Sequence, residues 1–373
     1  MDPGGVVVPP YVGQPLRLAP FHGVRLSPRR IGDPASGRLL ARPYRAVAAR
    51  LTQWQERGQL RRDEEPALYL HEYTAAGLTV RGLVGALDIS HRASGPGDRA
   101  VLPHEGIHPV QADELADRMT ELQLNPAPIL LVHRAPDGLR ALVHRVLEQE
   151  PVDDFVDRNE QRHRVWPIRE PDLLAAIDRE LAPCQALIAD GHHRYAAYLR
   201  MQRRAPGGPN DRGLAMLVDQ EDTPLFLGPI HRILTGVGLD DLAAAAEVVG
   251  AGFDLVDRPA AVHALGPATL AATDGRRWAT VKLHLPDDRA AVEQLHDDLV
   301  PALPRGPQRI EYHHSVESTL DHLRKDGVAV LMPAPDVDLV LKIAADDRLL
   351  PEKATSFQPK PSVGVLIRSL RDE

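Results

Sequence analysis

From residue 101 onward, short apolar runs alternate with segments of helical periodicity, and this alternation restricts the fold more than any other feature. A helix over 111–124 sets Leu115, Met119 and Leu122 on one face and is stopped by Asn125-Pro126. A buried strand at 128–132 and a helix at 137–149 follow. A hairpin over 151–168 turns at Asp157–Glu160, and a helix at 171–181 opens on Pro171, where proline is tolerated. Next come a strand at 185–189, the turn Asp190-Gly191 and a helix to about Arg203. Beyond a Pro/Gly loop the pattern predicts strands at 214–219 and 225–234, a helix at 239–249 and a β-rich stretch to 285. A helix near 288–300 precedes a final run of strand 309–314, helix 316–325, strand 328–333 and helix 336–345. Ahead of residue 101, a helix at 43–58 (Tyr44, Val47, Leu51, Trp54) and strands at 67–73 and 78–87 form an α+β opening. The expected class is mixed α/β, in three segments: 1–100, 101–235 and 236–373.

Composition narrows the function. No apolar run reaches the ~20 residues of a membrane-spanning helix, and the first ten residues lack the charged and apolar regions of a secretory signal. The single cysteine, Cys184, excludes an internal disulfide framework and a cysteine-based zinc finger. A cytoplasmic protein is expected, without a membrane partner. The net charge is −8 and aromatics are 4%, so neither a basic face for duplex nucleic acid nor a base-stacking platform is expected. Only five basic residues are lysine, and two of them, Lys353 and Lys360, fall in one short motif.

The most informative stretch is Ala186-Leu-Ile-Ala-Asp190-Gly-His-His-Arg194-Tyr-Ala-Ala-Tyr-Leu199. An apolar strand ends in Asp-Gly and a helix starts at once. Gly191 permits the sharp turn and a close ligand approach. The first turn of the helix offers N–H groups and a positive dipole end to a phosphate, and Arg194 can add a bidentate fork. Asp190 is placed to orient a hydroxyl or to hold a metal that bridges phosphates. His192 and His193 add titratable groups to the same turn. A second candidate is Leu102-Pro-His-Glu105-Gly, where Glu105 can serve as a general base. A third is Leu350-Pro-Glu-Lys353-Ala-Thr355-Ser-Phe-Gln-Pro-Lys360, chemically similar to a phosphate clamp and equally readable as a solvated loop. The pairs His192/His193 and His313/His314, with His104 and His231, suggest a metal site outside the zinc-finger patterns, and a metal-dependent hydrolase with it.

In order along the chain, APFHGVRLSP (19–28), DEEPALYLHEY (63–73), VLPHE (101–105), NPAPILLVH (125–133), ADGHHRYAAYL (189–199), IHRIL (230–234), EYHH (311–314) and LPEKATSFQPK (350–360) resemble the bacterial "domain of unknown function 1015" family. That family in turn resembles the free serine kinases of the ParB/sulfiredoxin-like superfamily, which carry the same Asp-Gly-His-His-Arg turn and phosphorylate free L-serine. The resemblance implies a ParB/sulfiredoxin-like core at 101–235 with flanking α/β segments, the C-terminal one packing on the core. It implies that Asp190 through Arg194 hold nucleotide phosphate and Mg²⁺, with Asp190 as metal ligand. Glu105 would act on the substrate hydroxyl, with Asp190, His192 and His193 catalytic beside it. Gly191, Arg194, His231, Arg232, Lys353, Thr355 and Lys360 would bind the nucleotide, ATP or ADP. The implied function is a phosphotransferase acting on the hydroxyl of a free amino acid or similar small molecule; the alternative is a nucleotide-binding regulatory protein without chemistry. A homodimer is compatible with either. The chain departs from the family pattern at Gln111 and Glu114, where the family carries positive residues, and at Ala354, where it carries serine.

Overall fold

In a computed structural model of the chain, the described residues are 5–34, 36–37 and 47–371. The architecture is mixed α/β. The chain divides into two compact units: Met1–Leu225 with Pro359–Glu373, and Phe226–Gln358.

The first unit is built on a nine-stranded sheet. Its order runs Val101–Leu102, Ala186–Asp190, Ile129–His133, Arg212–Asp219, Leu78–Asp88, Leu68–Ala75, Arg162–Ile168, Asp153–Val156, with Leu18–Ala19 added on Leu78–Asp88. The hairpin between Leu68–Ala75 and Leu78–Asp88 closes through Ala76 and Gly77, both at positive φ (50° and 79°). Helices Pro109–Leu122, Asp137–Leu147, Pro171–Leu181 and His192–Arg204 bury one apolar face each; Met119, Leu139, Ile177 and Tyr195 join one core with Leu131, Ile188 and Leu217. Removal of such faces from water is the main stabilising term. A smaller four-stranded sheet, Leu60–Arg62, Gly23–Leu26, Ile367–Ser369, Leu124–Asn125, ties the C-terminal segment into this unit. Its fully buried Arg368 donates to Asn125 Oδ1, the Arg212 carbonyl and the Pro209 carbonyl.

The second unit is an antiparallel six-stranded sheet in the order Gly252–Val256, Trp278–Lys282, Thr269–Thr273, Gly327–Leu331, His231–Thr235, Arg309–His313. A two-stranded ribbon, Phe226–Gly228 with Ser356–Gln358, joins the two ends of this unit's chain.

Several expectations are corrected. The strand expected over 225–234 is two strands, Phe226–Gly228 and His231–Thr235, interrupted where Pro229 has no N–H to give a ladder. The β-rich stretch before 285 contains a helix, Arg258–Ala264, capped by Asp257 on the Ala260 amide and with Pro259 in its first turn. The boundaries drawn at residues 100 and 235 do not coincide with the two units: one sheet takes strands from both sides of residue 100, and residues from 359 onward return to it. The helix expected over 43–58 is described as Val47–Glu56; Tyr44 lies outside the described residues. Among the described residues no helix is long and apolar enough to cross a membrane.

Candidate functional site

Ala186–Asp190 and Val101–Leu102 run parallel, with Ala186 beside Val101 and Leu187 beside Leu102. Both strands therefore leave the sheet at the same end, which places the Pro103–His108 loop next to the Asp190-Gly191 turn. Ligands of open α/β sheets gather at such carboxyl-terminal strand ends. Between Ile188, opposite Leu131, and Asp190, opposite Leu130, the ladder carries one extra residue, Ala189. A bulge of this kind re-aims the side chain that follows it.

Gly191 has φ 98° and ψ 31°, in the left-handed region. A Cβ there would lie 3.0 Å from Arg194 Nε and Nη2. The backbone conformation favours glycine, and a Cβ would in addition press on the guanidinium folded back over it, which would have to give by a few tenths of an ångström. Arg194 donates from Nη2 to Asp190 Oδ2 at 2.5 Å and from Nη1 to the Pro128 carbonyl. Lys360 Nζ meets the other oxygen, Asp190 Oδ1, at 2.5 Å. One carboxylate thus sits between two cations, at the start of helix His192–Arg204. Its charge, after burial, helps push the Tyr73 hydroxyl far above its ordinary range.

The two histidines turn the other way. His192 Nε2 accepts the His104 amide at 3.4 Å, and His193 Nε2 accepts the His108 amide at 3.1 Å. An accepting Nε2 carries no proton, so each ring holds its proton on Nδ1 when neutral. Together they fasten both ends of the loop that contains the half-buried Glu105. His104 is fully buried, edge-on to His192 at 4.7 Å. Burial first, and His192 second, hold it well below the ordinary histidine range, against a hydrogen bond to the Ile188 backbone.

Asp190, Arg194 and Lys360 open on a cavity of about 470 Å³. Leu115, Met119 and Leu122 from helix Pro109–Leu122, with Pro126–Pro128, Leu130 and Val363, make its apolar wall. Its charged groups are Arg118, Arg194 and Lys360 against Asp190, and Arg118 also pairs with Glu114 at 3.1 Å. The cavity walls do not include Glu105 or the two histidines.

A family model described as "Protein of unknown function (DUF1015)" matches residues 18–302, most of the chain. The chain belongs to the DUF1015 family. The matched span of this DUF1015 chain takes in Glu105 and Asp190–Arg194 and ends before Lys353. A comparison with curated proteins finds no match. Among solved structures, the chain is similar to SbnI with a C-terminal truncation from Staphylococcus aureus, at 11% identity and a TM-score of 0.42, covering 72% of this chain and 84% of that one. It is also similar to a free serine kinase in complex with AMP, at 16% identity and a TM-score of 0.38, covering 71% and 89%. A variant of a free serine kinase in complex with ADP matches at 15% identity and a TM-score of 0.38, covering 71% and 89%.

The remaining expected residues of the DUF1015 chain lie in its second unit. The unit boundary cuts the 350–360 motif between Gln358 and Pro359, so Lys353 and Thr355 fall on one side and Lys360 on the other. His231 Nδ1 accepts the Met332 amide at 3.1 Å. Arg232, 1% exposed, donates to the Ile230 and Lys353 carbonyls and to His296 Nε2, and lines with Ala354 a cavity of about 460 Å³ within that unit. The histidine metal site is corrected: His104, His192 and His193 belong to the first unit and His231, His313 and His314 to the second. Among the described residues no three His, Cys, Asp or Glu side chains gather to hold a metal.

Sequence reasoning did not single out Tyr73, Arg118 or Ser362 as site residues. Arg118 was within reach, because it sits on the face already marked by Leu115, Met119 and Leu122. Tyr73 and Ser362 carried no local signal, since their places depend on strands and segments far apart in the chain.

Proposed function

We propose that this DUF1015 protein is a nucleotide-dependent phosphotransferase acting on the hydroxyl of a free amino acid of the serine type, or a similar small molecule, on a core of the ParB/sulfiredoxin type. The observation that carries this reading is the charge at the Asp190 cavity: Arg194 and Lys360 both converge on the Asp190 carboxylate, and Arg118, paired with Glu114, lines the same cavity beside an apolar wall. That combination suits a ligand with a phosphate tail and a flat apolar body, as ATP or ADP has.

Asp190 bridges Arg194 and Lys360, one oxygen to each, and offsets one of their two charges. A phosphate entering at the helix start takes over both cations. Phosphoryl transfer depends mostly on such positioning and neutralisation. The substrate hydroxyl oxygen attacks the terminal phosphorus, the bond from that phosphorus to its bridging oxygen breaks, and the hydroxyl proton passes to Glu105. His192 and His193 serve by fixing the Glu105 loop through the His104 and His108 amides. Among the described residues Mg²⁺ has no cage of side chains: both Asp190 oxygens are engaged by cations, and no group of three His, Cys, Asp or Glu gathers to hold a metal. Because Mg²⁺ is commonly held by one or two carboxylates plus substrate phosphates, it fits only as part of the nucleotide complex, where it would offset phosphate charge.

The test is ³¹P NMR of the protein with ATP or ADP, Mg²⁺ and a pool of hydroxy amino acids. A new phosphomonoester signal is expected, reduced by about 10²–10⁴ in Glu105→Gln and in Asp190→Asn with the fold intact. Wild-type rates in either variant would overturn the assigned roles. A second reading, a nucleotide-binding regulatory protein, draws on the absence of Glu105 from the cavity wall. It requires nucleotide that binds, is not consumed, and is lost in Arg194→Ala.

A further inference from the structure

Lys360 reaches Asp190 from 170 positions away in the chain, and the segment that carries it is fastened on both sides. The Tyr73 hydroxyl donates to the Pro359 carbonyl at 2.6 Å. Gln161 grips the segment at two points: its Nε2 donates to the Lys360 carbonyl at 3.1 Å, and its Oε1 accepts the Ser362 amide and hydroxyl, each at 3.2 Å. Asn159 Nδ2 donates to Ser362 Oγ at 3.3 Å.

The turn that presents Gln161 is itself held from beneath. Asp157 Oδ1 accepts the Asn159 amide at 2.8 Å and the Gln161 amide at 3.0 Å, while Oδ2 lies 3.2 Å from His163 Nε2. His163 Nδ1 lies 3.1 Å from His71 Nε2, and all three side chains are buried. Burial raises the Asp157 carboxyl, but hydrogen bonds from Ser362, the Gln161 amide, His163 and the Asn159 amide outweigh it and hold the group below the usual carboxylate range. An unbroken chain of polar contacts therefore runs from the buried histidines through Asp157 and Gln161 to the backbone of Lys360.

We propose that Gln161 is the positioning residue for Lys360: its amide clamps the backbone on both sides of Pro361, so that the ammonium is delivered to Asp190 and to the ligand phosphate. The proposal rests on the phosphate reading of the Asp190 site. Lysine presents a compact charge on a flexible four-carbon stem, and each freedom lost at binding weakens the contact. Fixing the backbone at residues 360 and 362 in advance removes part of that loss. The orientation of the Gln161 amide follows from its backbone partners, since a carbonyl only accepts and an N–H only donates.

Two measurements test it. First, the protein is treated with an amine-acetylating reagent and lysine modification is followed by peptide mass spectrometry. The chain has only five lysines, and Lys282, ion-paired with Asp254, serves as internal reference. Gln161→Ala is expected to speed modification of Lys360 about threefold or more while Lys282 is unchanged. Gln161→Glu, which keeps the acceptor and loses the donor, is expected between the two. Second, calorimetry with Mg-ATP is expected to show a Kd raised about three- to tenfold in Gln161→Ala, with no further rise when the change is made in Lys360→Ala. Unchanged Lys360 labelling in both Gln161 variants, or a full Gln161 effect in the Lys360→Ala background, overturns the proposal. Wild-type protein that binds no nucleotide overturns the phosphate reading instead, and the labelling result still decides whether Gln161 positions Lys360.

Discussion

His193-Arg194 and His231-Arg232 are the same dipeptide in two different settings. In the first unit the pair lies in the opening turn of a helix, and the Arg194 side chain keeps 21% of its surface exposed at the mouth of a cavity. In the second the pair opens a strand flanked on both sides, His231–Thr235, and Arg232 is 1% exposed with two carbonyls, an imidazole and the Tyr312 ring around it. A helix start leaves its side chains at the carboxyl-terminal end of the strands, where a guanidinium can exchange a carboxylate for a ligand. A strand inside a sheet has neighbours on both sides, so the same guanidinium is used up satisfying backbone. The buried cation is felt locally: burial first and then Arg232 push His296 down to about 4, and burial, Arg232, His313 and His314 do the same to His231 against Glu317.

The sharpest way to break this comparison is to remove each charge. Arg232→Met is expected to cost about 2–4 kcal/mol of stability, because buried carbonyls lose their donors. It is read from the shift of the urea midpoint; a midpoint unchanged from wild type would mean that Arg232 is not structural. Arg194→Met is expected to leave that midpoint nearly in place and to raise the nucleotide Kd about tenfold, or about 1.4 kcal/mol. Calorimetry that finds wild-type affinity would remove Arg194 from the site.

A smaller effect is expected at Gly191. Alanine there must hold φ 98° and displace the Arg194 side chain, at a cost of about 1 kcal/mol. Nucleotide affinity should fall along with stability, whereas Gly250→Ala, also at positive φ (72°) but with open space around it, should lose stability alone. Equal affinity in the two variants would argue against a shared role for Gly191 and Arg194.

The smallest effect is a pH dependence. His231 and His296 have folded values near 4, below the unfolded value, so the unfolded chain binds more protons in acid. Their contribution to stability is fully present above about pH 6.5 and is lost as pH falls toward 4. Urea midpoints at pH 7.5 and 5.0 should show this loss, and Arg232→Met should reduce it by removing the cation. An identical pH difference in wild type and variant would refute the link.

Much of this molecule is written in local pattern. The helix Pro171–Leu181, the hairpin turning at Asp157–Glu160 and the strand–turn–helix from Ala186 to Arg204 follow from periodicity, proline placement and one Asp-Gly step, all of which act within a few residues. Asp190, Gly191 and Arg194 could be named as a group because a single turn brings them together. What tertiary structure alone decided is longer in reach. The bulge at Ala189 depends on the neighbouring strand, the break in 350–360 on which unit each half packs with, and the meeting of Lys360 with Asp190 on a segment that returns after 133 intervening residues, Phe226–Gln358. Such contacts carry no sequence period, because the energy that selects them comes from burial and hydrogen bonding between segments that are neighbours only after the chain has folded.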